Sequence, residues 1–346
     1  MEVYHGISAG KLEEILRNIR GIRVVLIGDL CLDVYWKADM TRSELSRETP
    51  HFPLPVVEER MSPGAGGNAA ANIASLQPKN IKVLGVIGRD WRGDLLIRKL
   101  QEAGLDTADI TVSNTAVTNA YCKPIRKGIS ELEVEDPRLD FCNYTKLQQE
   151  DEEKLLCALK QYAAEADLLC VCDQLLFGCI TPTIRGEILR LAKSGTKVVV
   201  DSRDRAGLYE EVILKPNLLE GMKALYGAYY PEKESLEYCR ETVKNLSLRT
   251  KSKICMTLGA LGCFYSDGAS AIYIPSHKVK PPVDTCGAGD THLSAFSCAL
   301  AAGALPWEAA SFANTAAEVT IRKIGLTGTA APDEIRARHT QVLTDG

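Results

Sequence analysis

No stretch of this 346-residue chain approaches the ~20 consecutive apolar residues that a membrane helix needs. None of its 12 cysteines stands in a CxxC pair and none of its five histidines in an HExxH pair, so spacing lends a zinc site no support. The phosphate-loop pattern GxxxxGK[ST] is also missing. A net charge of −4 holds no basic excess for nucleic acid or an anionic membrane, and neither is expected as a partner. No internal repeat or low-complexity linker interrupts the chain. The opening MEVYHGISAGKLEEILRNIRG reads as an amphipathic helix without the apolar centre of a secretion signal, which points to the cytoplasm.

What is present is globular: 45% apolar and 25% charged residues, enough for one large α/β domain or two ordinary ones. Cys170 and Cys172 alternate in an apolar strand and Cys298 lies on an apolar helix, as buried thiols do in a reducing compartment. Strands are expected at 23–29, 81–88, 167–173, 196–201 and 253–259, and a hairpin at 263–275. Helices are expected at 68–76, 93–104, 150–164, 181–194 and 307–323. This alternation predicts an α/β fold with a mostly parallel central sheet flanked by helices. Residues 34–62 read as short strands or loops, and 115–141 alternate like an antiparallel sheet. Together they suit a small β-sheet lid inserted in one domain spanning 1–346.

The segment 284-DTCGAGDTHLSAF-296 carries the chemistry. Glycines ahead of a helix let backbone N–H groups point outward, and the helix dipole adds positive charge, so Gly287, Ala288 and Gly289 suit a phosphate or its transition state. Asp290, held ionised by that dipole, could accept a proton from an alcohol, the pairing that phosphoryl transfer needs. It could equally be a helix-capping aspartate. A rival motif, 64-GAGGNA-69, fits the dinucleotide fingerprint GxGxxG/A. That fingerprint must leave a buried strand directly, whereas here the charged EERMSP precedes it.

With 284-DTCGAGD-290 and 63-PGAGGNAAAN-72 in this order, on this rhythm, residues 21–330 resemble the ribokinase-like, or PfkB, family of carbohydrate kinases. The resemblance implies ATP and Mg²⁺, a sugar or sugar phosphate as acceptor, Asp290 as general base and the 287–289 backbone as anion hole. It implies sugar contacts from Asp29, Asp33, Gly64 and Asn68, although aspartates at strand ends are also ordinary turn residues and Asn68 could be a helix cap. The segment 215-KPNLLE-220 is similar to the family's NxxE motif, placing Asn217 and Glu220 at the metal and phosphates; a capping pair is the alternative. Thr257, Gly259 and Gly262 would border the nucleotide, or simply turn a strand into a hairpin. Asn314 would lie along the adenine, on what is also an amphipathic core helix. Asp284, Cys286, Thr320, Lys323, Gly325 and Thr329 match the surroundings of a monovalent-cation loop, so K⁺ is a further candidate cofactor. In some relatives the lid sheet also forms the dimer contact, so the resemblance points to a homodimer.

Within the family the likeness extends to heptose-7-phosphate kinases, through 28-GDLCLDVYW-36, 46-SRETPHFPLPVV-57 and 138-RLD-140. The acceptor's own phosphate would then need cations. Arg42, Arg47, Lys123, Arg126 and Arg138 lie in the lid stretches, though each is also an ordinary solvated charge. Two features depart from the pattern: Ala65 replaces a usual glycine, and 173-DQLLFG-178 stands where a shorter Asp-Tyr-x-Lys-Gly run is expected. The HxGH motif of the bifunctional relatives' nucleotidyltransferase half is missing, so a stand-alone kinase is expected. Other acceptors (fructose 6-phosphate, ribose, a nucleoside) and a non-catalytic sugar sensor remain as alternatives.

Overall fold

The structure, a computed structural model, describes residues 1–130, 132–231 and 234–345. Its central sheet has nine strands among the described residues. They run in the order Glu2–Val3, Ala271–Ile274, Cys263–Ser266, Lys253–Thr257, Ile213–Leu214, Val198–Ser202, Leu168–Asp173, Arg23–Gly28 and Asn80–Leu84. From Lys253–Thr257 to Asn80–Leu84 every pairing is parallel; the 263–274 hairpin is antiparallel. Helices on both faces explain the composition of the strands. All six residues of Leu168–Asp173 are buried, so that strand is apolar without alternation. Among the described residues no helix is long and apolar enough to cross a membrane.

A second, five-stranded sheet projects from this core. Leu30–Asp39 pairs antiparallel with Val56–Ala65 and parallel with Asn119–Lys127, which also pairs with Glu133–Glu135 and Leu139–Phe141. The irregular reading of 34–62 is thus corrected at both ends, where ten-residue strands stand. Val56–Ala65 looks loop-like in sequence because its first four residues are exposed. The antiparallel reading of 115–141 holds for the two short strands and fails for the long contact with Leu30–Asp39, a pairing that alternation alone cannot reveal.

The single strand expected at 81–88 breaks at Gly85. A Cβ there would lie 2.8 Å from the Gly28 carbonyl oxygen and from Leu30. The second half, Val86–Gly88, leaves the central sheet and pairs with Thr111–Ser113. At the N-terminus, Glu2–Val3 joins the sheet edge and the helix begins only at Ala9. A C-terminal helix, Pro332–Asp345, was not anticipated.

Candidate active site

The two glycine motifs, more than 200 residues apart in sequence, meet at one hydrogen bond. Asn68 Nδ2 donates to Asp290 Oδ2 at 2.7 Å. Asn68 comes from helix Gly66–Ser75 and Asp290 from the first turn of helix Ala288–Ala301. A polar chain fixes their register: Thr320 Oγ1 donates to Thr291 Oγ1 at 3.0 Å, Thr291 to Asn72 Oδ1 at 2.8 Å, and Asn72 Nδ2 to Asn68 Oδ1 at 3.2 Å. These groups are buried, so each needs its partner, and the chain leaves the Asn68 amide aimed at Asp290. Asn72 and Thr291 were missed in the sequence. The available signal was Asn72 standing four residues after Asn68, on the same helix face.

Burial dominates the Asp290 carboxyl. It pushes the pKa up to about 6, the nearby Asp201 pushes in the same direction, and Asn68 and Lys215 pull it back. Its dry surroundings thus oppose ionisation, yet the group still ionises below neutral pH, as the expected base requires. Gly287 caps the helix at φ 76°, a left-handed conformation suited to glycine. Ala288 N–H turns back to Thr285 O at 3.2 Å, while the first-turn N–H groups of Gly289 and Asp290 have no partner one turn earlier in the helix.

Behind this turn lies Lys215, 3% exposed, whose Nζ donates to Asp201 Oδ2 at 2.6 Å and to the Gly289 carbonyl at 3.3 Å. Burial works to lower its pKa, but Asp201, Glu220 and Asp290 outweigh that and hold it above the ordinary lysine value. One ammonium thus faces three carboxylates. Glu220 is pushed up to about 7 by burial and by Asp201. Asn217 and Glu220 form a reciprocal capping box: Asn217 N–H donates to Glu220 Oε2 at 2.8 Å and Glu220 N–H to Asn217 Oδ1 at 2.9 Å. The capping alternative is therefore realised, yet the carboxyl still reaches the Lys215 cluster. Lys215 and Asp201 were not singled out in the sequence. A lysine directly after an apolar strand was the legible signal for the first.

Asn217 also bridges to Thr257 in parallel register, which brings this segment beside the next turn. There Gly259 has φ 58° and Gly262 φ 96°, and a Cβ on Gly262 would meet the Ile274 carbonyl at 2.3 Å. Asn314 is buried and its Nδ2 donates to Ile274 O at 3.2 Å, pinning the hairpin beside that turn.

On the other side of Asp290, Asp33 is 8% exposed and Gly64 leaves it room: a Cβ at 64 would lie 2.8 Å from Asp33 Oδ2. Burial raises the Asp33 pKa against Lys123, Arg138 and Arg60. Arg60 was missed, and of the five cations expected here only Lys123 and Arg138 face Asp33. Arg42 is exposed and paired with Asp39, Arg126 pairs with Asp136, and Arg47 is exposed. Arg60 stacks on the Tyr35 ring at 4.2 Å, Lys123 donates to Tyr35 Oη at 2.9 Å, and Tyr35 Oη lies 3.6 Å from Cys286 Sγ. Arg138 stacks on Tyr121 at 4.4 Å while its fork is held by Asp140 at 2.6 and 2.7 Å.

Asp29 sits elsewhere. Its carboxylate accepts N–H bonds from Gln174, Leu175 and Cys179 at 2.7–2.8 Å, so it anchors the 174–179 loop rather than pointing at Asp33 or Asp290. Burial and the neighbouring Asp173 push it up to about 6. The loop's departure in length is accommodated here: a Cβ on Gly178 would collide with Asp29. Of the expected cation loop, Asp284 accepts from Cys286 N–H at 3.0 Å and Gly325 N–H at 2.9 Å, Thr320 turns inward to Thr291, and Lys323 Nζ donates to the Thr329 carbonyl at 2.6 Å.

The second departure, Ala65, adopts φ 49° and ψ −125° at the start of helix Gly66–Ser75, a conformation costly for a residue with a Cβ. Ala65→Gly is expected to stabilise the fold by about 1 kcal/mol, raising the thermal midpoint by roughly 2–4 °C. An unchanged or lowered midpoint in a calorimetric scan would contradict this strain. The strand before Ala65 belongs to the second, antiparallel sheet, so the glycine motif does leave a strand, but not the parallel buried one of a dinucleotide fold.

The family described as pfkB family carbohydrate kinase matches residues 23–333. The chain belongs to this family. This kinase is therefore a phosphotransferase with an alcohol group as acceptor. Among curated relatives it is 29% identical over 324 residues to the bifunctional protein HldE of Desulfatibacillum aliphaticivorans, covering 91% of this chain and 63% of the relative. It is 30% identical over 335 residues to the HldE of Citrifermentans bemidjiense, covering 94% and 65%. The kinase thus spans less than two thirds of the length of these relatives. Among solved structures it resembles the ribokinase of Arabidopsis thaliana complexed with ribose and ATP, with a TM-score of 0.70 and 19% identity over 92% of this chain and 98% of that one. It also resembles phosphofructokinase-2 of Escherichia coli in complex with fructose-6-phosphate, with a TM-score of 0.70 and 16% identity over 93% and 99%. These likenesses establish the ribokinase-like fold.

Proposed function

We propose that this kinase transfers the γ-phosphoryl group of ATP to a hydroxyl of a phosphorylated sugar, with a heptose 7-phosphate as the favoured acceptor. The carrying observation is the Asn68–Asp290 contact, with Asp33 and three lid cations on one side and the Lys215 cluster on the other. The acceptor would lie between Asp33 and Asp290 under the five-stranded sheet, which would act as a lid within a single kinase domain. Asp290, ionised at neutral pH, takes the hydroxyl proton as the oxygen attacks phosphorus in line. Gly289 and Asp290 N–H groups hold the charge that develops on the transferred group. ATP would lie along Thr257, Gly259 and Gly262. Three carboxylates around one lysine fit a divalent cation, and Glu220 and Asp201 would hold the Mg²⁺ of MgATP, which supplies charge neutralisation at the phosphates. Lys323 already places an ammonium on the Thr329 carbonyl, leaving less of the expected set for K⁺, and no step here uses one.

Two observations favour a phosphorylated acceptor. Arg60 and Lys123 share one aromatic ring above Asp33, and Arg60 also reaches the 325 turn, 3.4 Å from where a Gly325 Cβ would stand. HldE relatives at 28–30% identity agree with this reading. Arg60→Ala and Lys123→Ala are each expected to raise KM for the phosphorylated acceptor about 10–100-fold, the worth of a charge-assisted hydrogen bond. Turnover of the matching unphosphorylated sugar should stay unchanged. Equal losses on both acceptors would sink the phosphate assignment. The same likeness supports a homodimer through the outer face of the lid sheet, where Val56, Val57 and Val134 are exposed.

A further inference from the structure

Directly behind the anion-binding turn, a cluster of soft ligands is buried that phosphoryl transfer does not use. Cys255 and Cys263 lie on adjacent antiparallel strands. Thr257 pairs with Cys263 and Cys255 with Tyr265, so the two thiols are offset by two positions and share a face. Helix Ala288–Ala301 reaches that face with His292, two residues after Asp290. One ligand atom from each of the three residues lies within 4.8 Å of the others. Both cysteines are fully buried and His292 is 4% exposed.

The histidine makes this more than a pair of core thiols. Neither Nδ1 nor Nε2 of His292 has a hydrogen-bond partner, although both are out of water. Among the described residues, only the Asn314 side chain approaches the ring closely enough for a weak polar contact, and its Nδ2 is already engaged by the Ile274 and Pro275 carbonyls. Buried polar atoms normally find well-formed hydrogen bonds, and an imidazole without one has a lone pair free for an electrophile.

We propose that Cys255, Cys263 and His292 form a buried site for a thiophilic divalent cation, Zn²⁺. Two thiolates and a neutral imidazole around a dication sum to zero charge, which suits a dry interior where separate charges would be costly. The ligand set is that of a zinc site, with bonds of about 2.3 Å to sulfur and about 2.0 Å to nitrogen. Binding releases the two thiol protons to solvent and changes no oxidation state. Because the ligands are enclosed, the metal would enter as the chain folds. It would tie the helix that carries Asp290 to the hairpin beside Gly262. This inference stands whatever sugar the kinase uses.

The test is metal content of the full chain purified without chelators, followed by synthesis in cobalt-supplemented, zinc-depleted medium. The expected result is one zinc per chain. In the cobalt form, a thiolate-to-cobalt charge-transfer band and the visible bands of tetrahedral Co²⁺ are expected. Cys263→Ala and His292→Leu should lose the metal and the bands, while Cys157→Ala, which alters an exposed cysteine, should keep both. Should a variant fail to fold, the wild-type measurements decide alone. A wild-type chain that carries no zinc and shows no thiolate–cobalt band overturns the proposal. So does metal that persists in folded Cys263→Ala.

Discussion

Asp290→Asn is expected to lower kcat by at least ~10² while leaving KM for ATP nearly unchanged. The substitution keeps the shape of the side chain and the backbone turn that holds charge, and removes only the group that can take a proton. The fold should survive. Asp290 is fully buried and its carboxylate is disfavoured by desolvation and by Asp201, so a neutral amide relieves electrostatic cost at that point. A thermal midpoint equal to or above wild type, together with the kcat loss, would separate chemistry from stability. A loss of turnover accompanied by unfolding would say instead that Asp290 is chiefly a packing and capping residue.

Lys215→Met should have the largest effect on stability. The ammonium is bonded to Asp201 at 2.6 Å, and the two side chains are 4% and 8% exposed. Removing it leaves Asp201, Glu220 and Asp290 near one another without their shared cation. Breaking such a buried pair from one side costs about 3–5 kcal/mol, because a charge is left uncompensated. A fall in thermal midpoint on the order of 5–10 °C is expected. The double variant Lys215→Met/Asp201→Asn should recover part of that loss, since it removes the stranded charge as well. Simple additivity of the two single variants would show that the pair is not coupled. Activity should fall too, because Lys215 also holds the Gly289 carbonyl and so fixes the turn proposed to face the transferred group.

Local rules made the central sheet legible. Strands such as Leu168–Asp173 are continuous apolar runs because both faces are covered, and the helices between them carry clear periodicity and caps. The second sheet was harder to read. Val56–Ala65 is a full strand whose first half faces water, so Glu58, Glu59 and Arg60 give it the composition of a loop. The parallel contact between Leu30–Asp39 and Asn119–Lys127 joins segments about 90 residues apart, and no local pattern records it. At the site, the glycine turn and Asp290 stand in one contiguous motif and could be read directly. Arg60 and Asp201 could not, because their meaning lies in partners from distant segments. Asp29 shows the converse. Its place after a strand suggests a ligand contact, yet three backbone N–H groups from the 174–179 loop take its carboxylate.

The most direct test of the account is ADP release from MgATP across a panel of sugars: manno-heptose 7-phosphate, sedoheptulose 7-phosphate, fructose 6-phosphate and ribose, each with wild type and Asp290→Asn. The account predicts strong release with one phosphorylated sugar, a heptose 7-phosphate first among them, and loss of that signal in the variant. Equal release by wild type and variant, or release that ignores the acceptor's phosphate, would contradict it.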